Sequence, residues 1–203
     1  MTRASSQSIG LTVAVAPTDK RAVKQFFADG RKIDYDYIKW WRFYPREYAD
    51  MSEFAAALNV ISAFPNIGIL RGEPIPGLDL NDWHLRRLHS RPDKNEPATL
   101  RACSRNWIGF DFDDVIVRFG MGFAIGLADA AVYVRDELLP TTFWDKACVV
   151  TATASTGLRG PVVARLRMFF RVSQPIPDVT LRRWCHGLRH ATDLPVDPAH
   201  FRP

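Results

Sequence analysis

Three aspartates stand in an otherwise apolar stretch, NWIGFDFDDVIVRF at residues 106–119, and two of them are separated by a single residue. In an extended strand, alternate side chains lie on the same face, about 7 Å apart along the backbone. Asp111 and Asp113 therefore share one face of a predicted strand, together with Gly109. Asp114 falls on the opposite face as the strand ends, and we expect it to be a solvated end residue. That opposite face is the expected core face and carries Ile108, Phe110 and Phe112.

Carboxylates are depleted in strands and costly to bury, so the pair Asp111 and Asp113 needs an explanation. Hard divalent cations such as Mg²⁺ and Mn²⁺ prefer carboxylate oxygens, and Mg²⁺ takes one or two of them together with substrate phosphates. The spacing therefore favours a metal site that holds a nucleotide. The alternative is a solvated strand end, which is the commoner situation for a short D-x-D pair taken alone.

A second predicted strand, within STGLRGPVVARLRMFF at residues 155–170, carries arginines on one face. Arg165 and Arg167 share that face with Phe169. Two guanidinium groups at this spacing could clamp a triphosphate, because the guanidinium fork matches phosphate oxygens. The alternative is an ordinary exposed strand face with surface arginines. The apolar face of this strand carries Leu166, Met168 and Phe170.

Further polar residues precede and follow the arginine strand. Ser155, Thr156 and Gly157 lie at the mouth of a predicted hairpin, where hydroxyl and backbone N–H groups could contact phosphate. Asp197 follows a short apolar stretch in LPVDP and is a candidate third acid. Before a proline, an aspartate is also readily a turn residue.

The elements that must position these residues follow from periodicity. Apolar residues at helical spacing, with an acid near the start, predict a helix over residues 49–64. Strands and helices alternate irregularly, and the last two strands form a hairpin. This pattern indicates an α/β or α+β fold with a mixed sheet. The other predicted elements are strands at 8–17, 66–72, 147–155 and 162–172, and helices at 19–28, 80–90, Phe123–Leu139 and 178–191.

Two stretches have a composition suited to an anionic partner. Residues 72–97 are rich in proline and charge, and they form either a solvated excursion, which we favour from composition alone, or a basic flap beside an active site. Residues 40–46 could stack on bases, although packing is the commoner role of such aromatics. The stacking candidates are Trp40, Trp41, Phe43 and Tyr44, with Arg42 and Arg46 beside them.

Composition bounds the class of protein. The chain has 203 residues, 47% of them hydrophobic, which is enough for one domain with a core. The net charge of +5 is consistent with an anionic partner. Three widely spaced cysteines argue against a disulfide framework and favour a reducing cytoplasm. No apolar run reaches the ~18 residues of a spanning helix, so we expect no membrane partner.

The order of these motifs resembles the archaeo-eukaryotic primase superfamily, in particular primase-polymerases of plasmids, phages and integrated elements. Three motifs carry the resemblance: FDFDD, then STGLRGPVVARLRMFF, then PVDPAHFRP. The RGEP stretch at residues 71–74, with the later arginines, also resembles regions upstream of the first motif. In the second motif the family often has a histidine that contacts nucleotide phosphates, and here Arg167 takes that position.

The resemblance implies a site and a reaction. Asp111, Asp113 and Asp197 would be the catalytic acids and would bind two divalent ions, Mg²⁺ or Mn²⁺. The reaction would be nucleotidyl transfer from nucleoside triphosphates, directed by a single-stranded DNA template, with a replicative helicase as a further partner. Implied nucleotide-binding residues are Ser155, Thr156, Gly157, Arg165 and Arg167, and implied nucleic-acid-binding residues are Arg71, Arg86, Arg87 and Arg91.

The implied architecture is one catalytic domain over residues 1–203. It would consist of an amino-terminal αβ unit over about 1–100 and a metal-binding unit over about 101–203. The second unit would be an RRM-like mixed or antiparallel sheet with helices packed on one face and the charged residues on the other, open face. Because the chain ends six residues after Asp197, the resemblance also allows a fragment of a larger replication protein.

Two other functions remain open at this point. A non-catalytic nucleic-acid-binding replication module could use the same fold, because fold does not fix function. A glycosyltransferase also uses D-x-D with Mn²⁺ to hold a nucleotide diphosphate. That class would need a longer alternating β/α series before the acids, which the irregular first ~100 residues fit poorly.

Overall fold

The structure is a computed structural model that describes residues 8–27, 29–117, 126–156 and 163–192. These residues form an α+β fold with antiparallel sheets and three helices. None of the helices in these ranges is long and apolar enough to cross a bilayer. In chain order the elements are β1 (Ile9–Val15), β2 (Gln25–Phe26), β3 (Lys32–Ile33), β4 (Trp40–Tyr48), α1 (Met51–Ser62), β5 (Ile67–Leu70), β6 (Glu73–Pro74), β7 (His84–Leu85), β8 (Leu100–Arg101), β9 (Arg105–Ile116), α2 (Leu127–Tyr133), β10 (Cys148–Ala152), β11 (Val163–Ile176) and α3 (Asp178–Thr192).

The first sheet has the strand order β5-β1-β4-β7, with antiparallel neighbours throughout. Helix α1 follows β4 and begins at Asp50, whose Oδ1 accepts the backbone N–H groups of Ser52 and Glu53. An aspartate cap of this kind satisfies donors that the first helical turn leaves open. The predicted helix over 49–64 is therefore confirmed, with this cap as its start.

The second sheet has the order β10-β11-β9 and is also antiparallel. Its elements follow one another as β9-α2-β10-β11-α3. One face of this sheet packs against α2 and α3 in the larger core. The predicted inward residues are confirmed, since Phe110, Phe112, Leu166 and Met168 are all fully buried there.

A smaller core joins the two sheets through α1. Phe54 of α1 is fully buried, with its ring centroid 5.9 Å from that of Trp107 on β9 and 5.7 Å from that of Phe169 on β11. Ile9 and Leu11 of β1 complete this core. The second sheet is thus covered on part of its other face, where the sequence predicted an open surface.

Arg71 also joins the two sheets. Its Nε donates a hydrogen bond to Asp178 Oδ1 at the start of α3 over 2.7 Å, and its Nη2 donates to the carbonyl oxygen of Ile176 over 3.0 Å. Its Nη1 donates to the carbonyl oxygen of Trp107. The side chains of Arg71 and Asp178 are 2% and 4% exposed. Burial lowers the pKa of Arg71, and the Asp178 carboxylate opposes this effect.

Two predicted helices are wrong. Within 19–28 the structure has turns and then strand β2, which pairs with β3. Within 80–90 it has strand β7, which pairs with the start of β4. Both stretches are short, and an isolated helix of that length is marginal unless tertiary packing covers its apolar face. The apolar residue Val23, for example, is 42% exposed.

The predicted helix over Phe123–Leu139 is described only from Gly126 onward. There α2 is followed by a π-helical turn over Val134–Leu138, and Phe123 lies outside the described residues. The predicted strands of the hairpin are confirmed as β10 and β11, although β11 extends further, to Ile176. The predicted last helix is confirmed as α3.

Candidate functional site

The candidate site lies on one face of β9 and β11. Asp111 and Asp113 point to the face opposite the Phe110 and Phe112 core, as their alternation predicts. Arg167 is the direct cross-strand neighbour of Asp111. The structure therefore brings the predicted acids and the predicted arginines together on a single sheet surface, which we call the acid–arginine face.

A β-bulge adds a third acid to this face. The pairing shifts between Ala164 and Leu166, so that Arg165 stands opposite two residues, Asp113 and Asp114. Asp114 has a φ of +56°, in the left-handed region that Asp tolerates better than most residues. The expectation that Asp114 lies on the apolar face is wrong, because the bulge inserts one residue and returns Val115 to the core.

Ion pairs connect the acids to the arginines. Arg165 Nε and Nη2 donate to the two carboxylate oxygens of Asp114 over 2.8 and 2.6 Å. Arg165 Nη1 lies 3.8 Å from Asp113 Oδ1. Arg167 Nη2 donates to Asp111 Oδ2 over 3.0 Å. The bidentate contact is the strongest geometry available to an arginine and a carboxylate, and it fixes the plane of the Arg165 guanidinium.

The charge environment of Arg165 follows from these contacts. Its pKa is raised above the ordinary value, chiefly by the hydrogen bond with Asp114 and also by the nearby charges of Asp113 and Asp111. Arg165 therefore remains a cation at any working pH. Three carboxylates face two guanidinium groups, so the face is close to neutral and slightly acidic.

The hairpin mouth supports Arg165 from the other side. Ser155 is buried, and its Oγ accepts a hydrogen bond from Arg165 Nη1 over 2.7 Å. The Thr156 hydroxyl donates to the backbone carbonyl of Arg165. Contact of these hydroxyls with nucleotide phosphates, which the sequence predicted, stays a prediction. Gly157, the third residue predicted here, lies outside the described residues.

The uncovered part of the face begins beyond Gly109. A Cβ atom at Gly109 would lie 3.0 Å from the Phe169 ring, so only glycine allows that ring to pack closely over the strand. Past this point, the side chain of Asp111 is 11% exposed, that of Asp113 49% and that of Asp114 50%. The acids thus lie at the rim of the buried core, where a ligand could reach at least two of them.

The donor set suits a hard divalent cation in part. Asp111, Asp113 and Asp114 offer carboxylate oxygens, and Mg²⁺ needs only one or two of these from the protein. No group of three His, Cys, Asp or Glu side chains with metal-ligand geometry forms within the described ranges. Asp197, the predicted third ligand, lies outside those ranges. The ligand set of two ions therefore stays a prediction.

The predicted nucleic-acid contacts separate into two groups. Arg71 is buried between the sheets, and its N–H groups donate to Asp178 and to two backbone carbonyls. It is therefore not available to a phosphate backbone. The prediction for Arg71 is wrong because its strand end faces the junction of the sheets. Arg86 and Arg91 are exposed, and Arg87 is partly exposed and pairs with Glu96 over 2.6 Å. For these three, contact with nucleic acid stays a prediction.

The fold and the site define an α+β protein that carries acids and arginines on one sheet face. No family model, curated protein or solved structure matches this chain. What the site does therefore has to be inferred from its own geometry and charge. The residue that sequence patterns missed is Asp114, and the signal for it was the doubled aspartate at the end of the FDFDD strand, where bulges are common.

Proposed function

We propose that this chain is a nucleotidyltransferase, a DNA-dependent primase-polymerase module of the kind that replicates mobile elements. One observation carries the proposal. The acids of FDFDD and the arginines of the second motif, 56 residues apart for Asp111 and Arg167, meet as direct neighbours on one partly exposed sheet surface. A structural role alone does not require three carboxylates and two guanidinium groups to converge beside a buried hydroxyl, that of Ser155.

The topology of the second sheet supports the same proposal. Its element order, β9-α2-β10-β11-α3, and its strand order, β10-β11-β9, match the first five elements of a βαββαβ unit. In such a unit the sixth element is a strand that pairs with the first strand. It lies on the side of the first strand that the third strand, here β11, leaves open. An acid following α3 would then approach Asp111 and Asp113. Asp197 is the candidate, and its placement stays a prediction.

Each residue of the face has a role in this proposal. Asp111 and Asp113 would hold Mg²⁺ or Mn²⁺, with Asp114 at the exposed rim. The bound ion would supply positive charge to the phosphates of a nucleoside triphosphate. Arg165 and Arg167 would exchange carboxylate partners for phosphate oxygens, which have similar geometry. Ser155 would keep the Arg165 guanidinium in position during that exchange.

A second candidate function is a non-catalytic nucleic-acid-binding replication module on the same fold. The observation that favours it is the bidentate contact between Arg165 and Asp114, because well-matched ion pairs can serve only to fix a surface. In this case the acids would neutralise the arginines, and their removal would leave nucleic-acid affinity unchanged or increase it.

A template-dependent incorporation assay separates the two candidates. Labelled nucleotides, a primed single-stranded template and Mg²⁺ or Mn²⁺ are combined with the wild type and with Asp111→Ala/Asp113→Ala. We expect incorporation by the wild type and a loss of about a hundredfold or more in the double variant. Asp136→Asn is the matched control, because this acid also pairs with an arginine, Arg135, but lies on the π-helical turn.

Two results contradict catalysis by this face. One is equal incorporation by the wild type and the double variant. The other is no incorporation by either at any concentration of either metal ion. Thermal unfolding of both proteins, followed by circular dichroism, shows whether the double variant is folded. Asp111→Asn/Asp113→Asn, which keeps side-chain volume, replaces it if it is not.

A further inference from the structure

A strip of alternating aromatic and cationic side chains runs along β4, away from the acid–arginine face. Trp40, Arg42, Tyr44 and Arg46 occupy alternate positions and therefore share one side of the strand. The pairing of Trp41 with His84 brings the residue before β7, Trp83, beside Arg42. These five residues, Trp40, Arg42, Tyr44, Arg46 and Trp83, are called the β4 strip below.

The cations of the strip lie against its rings. The guanidinium carbon of Arg42 is 4.5 Å from the centroid of the Trp83 ring, and that of Arg46 is 5.8 Å from the Tyr44 ring. Lys39 Nζ lies 5.1 Å from the centroid of the Trp40 ring. Contacts of this kind hold rings and cations together while leaving the positive charge in place.

The strip is exposed at its two ends, Trp40 and Arg46, and half-buried at its other three residues, whereas Phe43 on the same strand points inward. Trp40 is 44% exposed, and Arg46 is also exposed. Phe43, on the other side of the strand, is fully buried and stacks on His84 with a centroid distance of 6.4 Å. Two further tyrosines just before β4 continue the aromatic surface, since Tyr35 is 61% and Tyr37 86% exposed.

The positive charge of the strip is not neutralised within the described part of the chain. There, no carboxylate forms an ion pair with Lys39, Arg42 or Arg46. Arg42 Nε, which is buried, also has no hydrogen-bond partner among the described residues. Exposed rings alone would suit many apolar partners, but exposed rings between uncompensated cations suit a partner that is flat and anionic at once.

We infer that the β4 strip binds single-stranded nucleic acid. Unstacked bases offer flat faces to Trp40 and Tyr44, and the phosphates between them are attracted to Lys39, Arg42 and Arg46. Such binding tolerates sequence differences, because every base has an aromatic face. Identification of this strand as the template rests on the proposed function, whereas binding itself does not.

Fluorescence anisotropy with a labelled oligo-dT of about 16 nucleotides tests the inference. We expect Trp40→Ala to weaken binding by about five- to a hundredfold, which corresponds to the loss of one stacked base. We expect Trp40→Phe, which keeps a ring, to restore most of the affinity. Duplex DNA of the same length should bind more weakly than the single strand, since its bases are already stacked.

Trp144→Ala is the matched control. Trp144 is 43% exposed, almost the same fraction as Trp40, but it lies beside the 3₁₀ turn at Thr141–Phe143. Equal affinity of Trp40→Ala and Trp144→Ala for oligo-dT would overturn the inference. It would equally be overturned if Trp40→Ala changed only the oligomeric state in sedimentation, because the strip would then bind a second copy of the chain.

The outcome is independent of the incorporation assay. If Asp111→Ala/Asp113→Ala incorporates nucleotides as well as the wild type, the proposed catalysis is contradicted, and the inferred binding by the β4 strip is unaffected. If incorporation depends on those acids but oligo-dT binding does not depend on Trp40, the inferred binding by the β4 strip is contradicted while the proposed catalysis remains. Circular dichroism of Trp40→Ala confirms that the variant is folded, as expected for an exposed residue at a strand end.

Discussion

The acid–arginine face and the β4 strip each present two arginines from a single strand, but the arginines have different partners: carboxylates on the face and aromatic rings on the strip. On the face, Arg165 and Arg167 each contact a carboxylate, so their orientation is fixed and their charge is compensated. On the strip, Arg42 and Arg46 contact aromatic rings, which leave the charge uncompensated. Under the two proposals, the partner of an arginine, more than its exposure, decides whether the arginine attracts an anion or defines a geometry.

The largest effect is expected at a third kind of arginine, the buried Arg71 between the sheets. Arg71→Met should lower the free energy of unfolding by about 3–5 kcal/mol, because it leaves the Asp178 carboxylate buried without its cation. Urea denaturation measures this change. Arg87→Met is the control, since its pair with Glu96 is partly exposed and is worth at most about 1 kcal/mol. Equal losses of unfolding free energy in the two variants would show that burial does not determine how much these ion pairs contribute to stability.

Arg167→Gln tests whether a compensated arginine of the face also serves a ligand. We expect the KM for nucleoside triphosphate to rise about tenfold or more, because a charged hydrogen bond to phosphate is lost. The midpoint of urea denaturation should also fall, but by less than in Arg71→Met, since the Asp111 side chain is only 11% exposed whereas that of Arg167 is 35% exposed. Arg171→Gln, an exposed arginine on the same strand, is the control. A changed midpoint with unchanged KM would assign Arg167 to structure alone.

Salt dependence should distinguish the strip from the face. Affinity for oligo-dT should fall as salt rises, and Arg42→Gln/Arg46→Gln should reduce the slope of log K against log salt by about 1–2, one for each lost phosphate contact. Asp111→Asn should leave that slope unchanged. Anisotropy titrations at several salt concentrations measure it. If the double variant keeps the wild-type slope, Arg42 and Arg46 do not contact phosphates, and the proposed difference between the two regions is wrong.

The smallest effect is expected for Ser155→Ala. The hydroxyl accepts one hydrogen bond from Arg165, so its loss should cost about 0.5–1.5 kcal/mol of unfolding free energy. The KM for nucleotide should rise only severalfold, because Asp114 still orients the guanidinium before the nucleotide binds. Ser62→Ala removes an exposed hydroxyl that donates to its own helix and should change neither quantity. Unfolding of Ser155→Ala at the wild-type midpoint would show that this contact is not formed in solution.

The sequence by itself determined the local features of this protein. Alternation placed Phe110 and Phe112 in the core and Asp111 on the other face, because side chains of a strand alternate whatever its partners are. Helical spacing and the acid at Asp50 determined α1 for the same local reason. The same alternation placed Arg165 and Arg167 together on one face of the second strand.

Only the tertiary structure decided which of these residues are exposed and can contact a ligand. The bulge that turns Asp114 outward depends on the register between β9 and β11, which distant residues set. The burial of Arg71 depends on the packing of α3, which starts 107 residues later along the chain. Trp40 and Phe43 are near neighbours of similar type, yet one is exposed and the other buried, because only one side of β4 has a core to pack against. Periodicity assigns residues to faces, but long-range contacts decide which faces are covered.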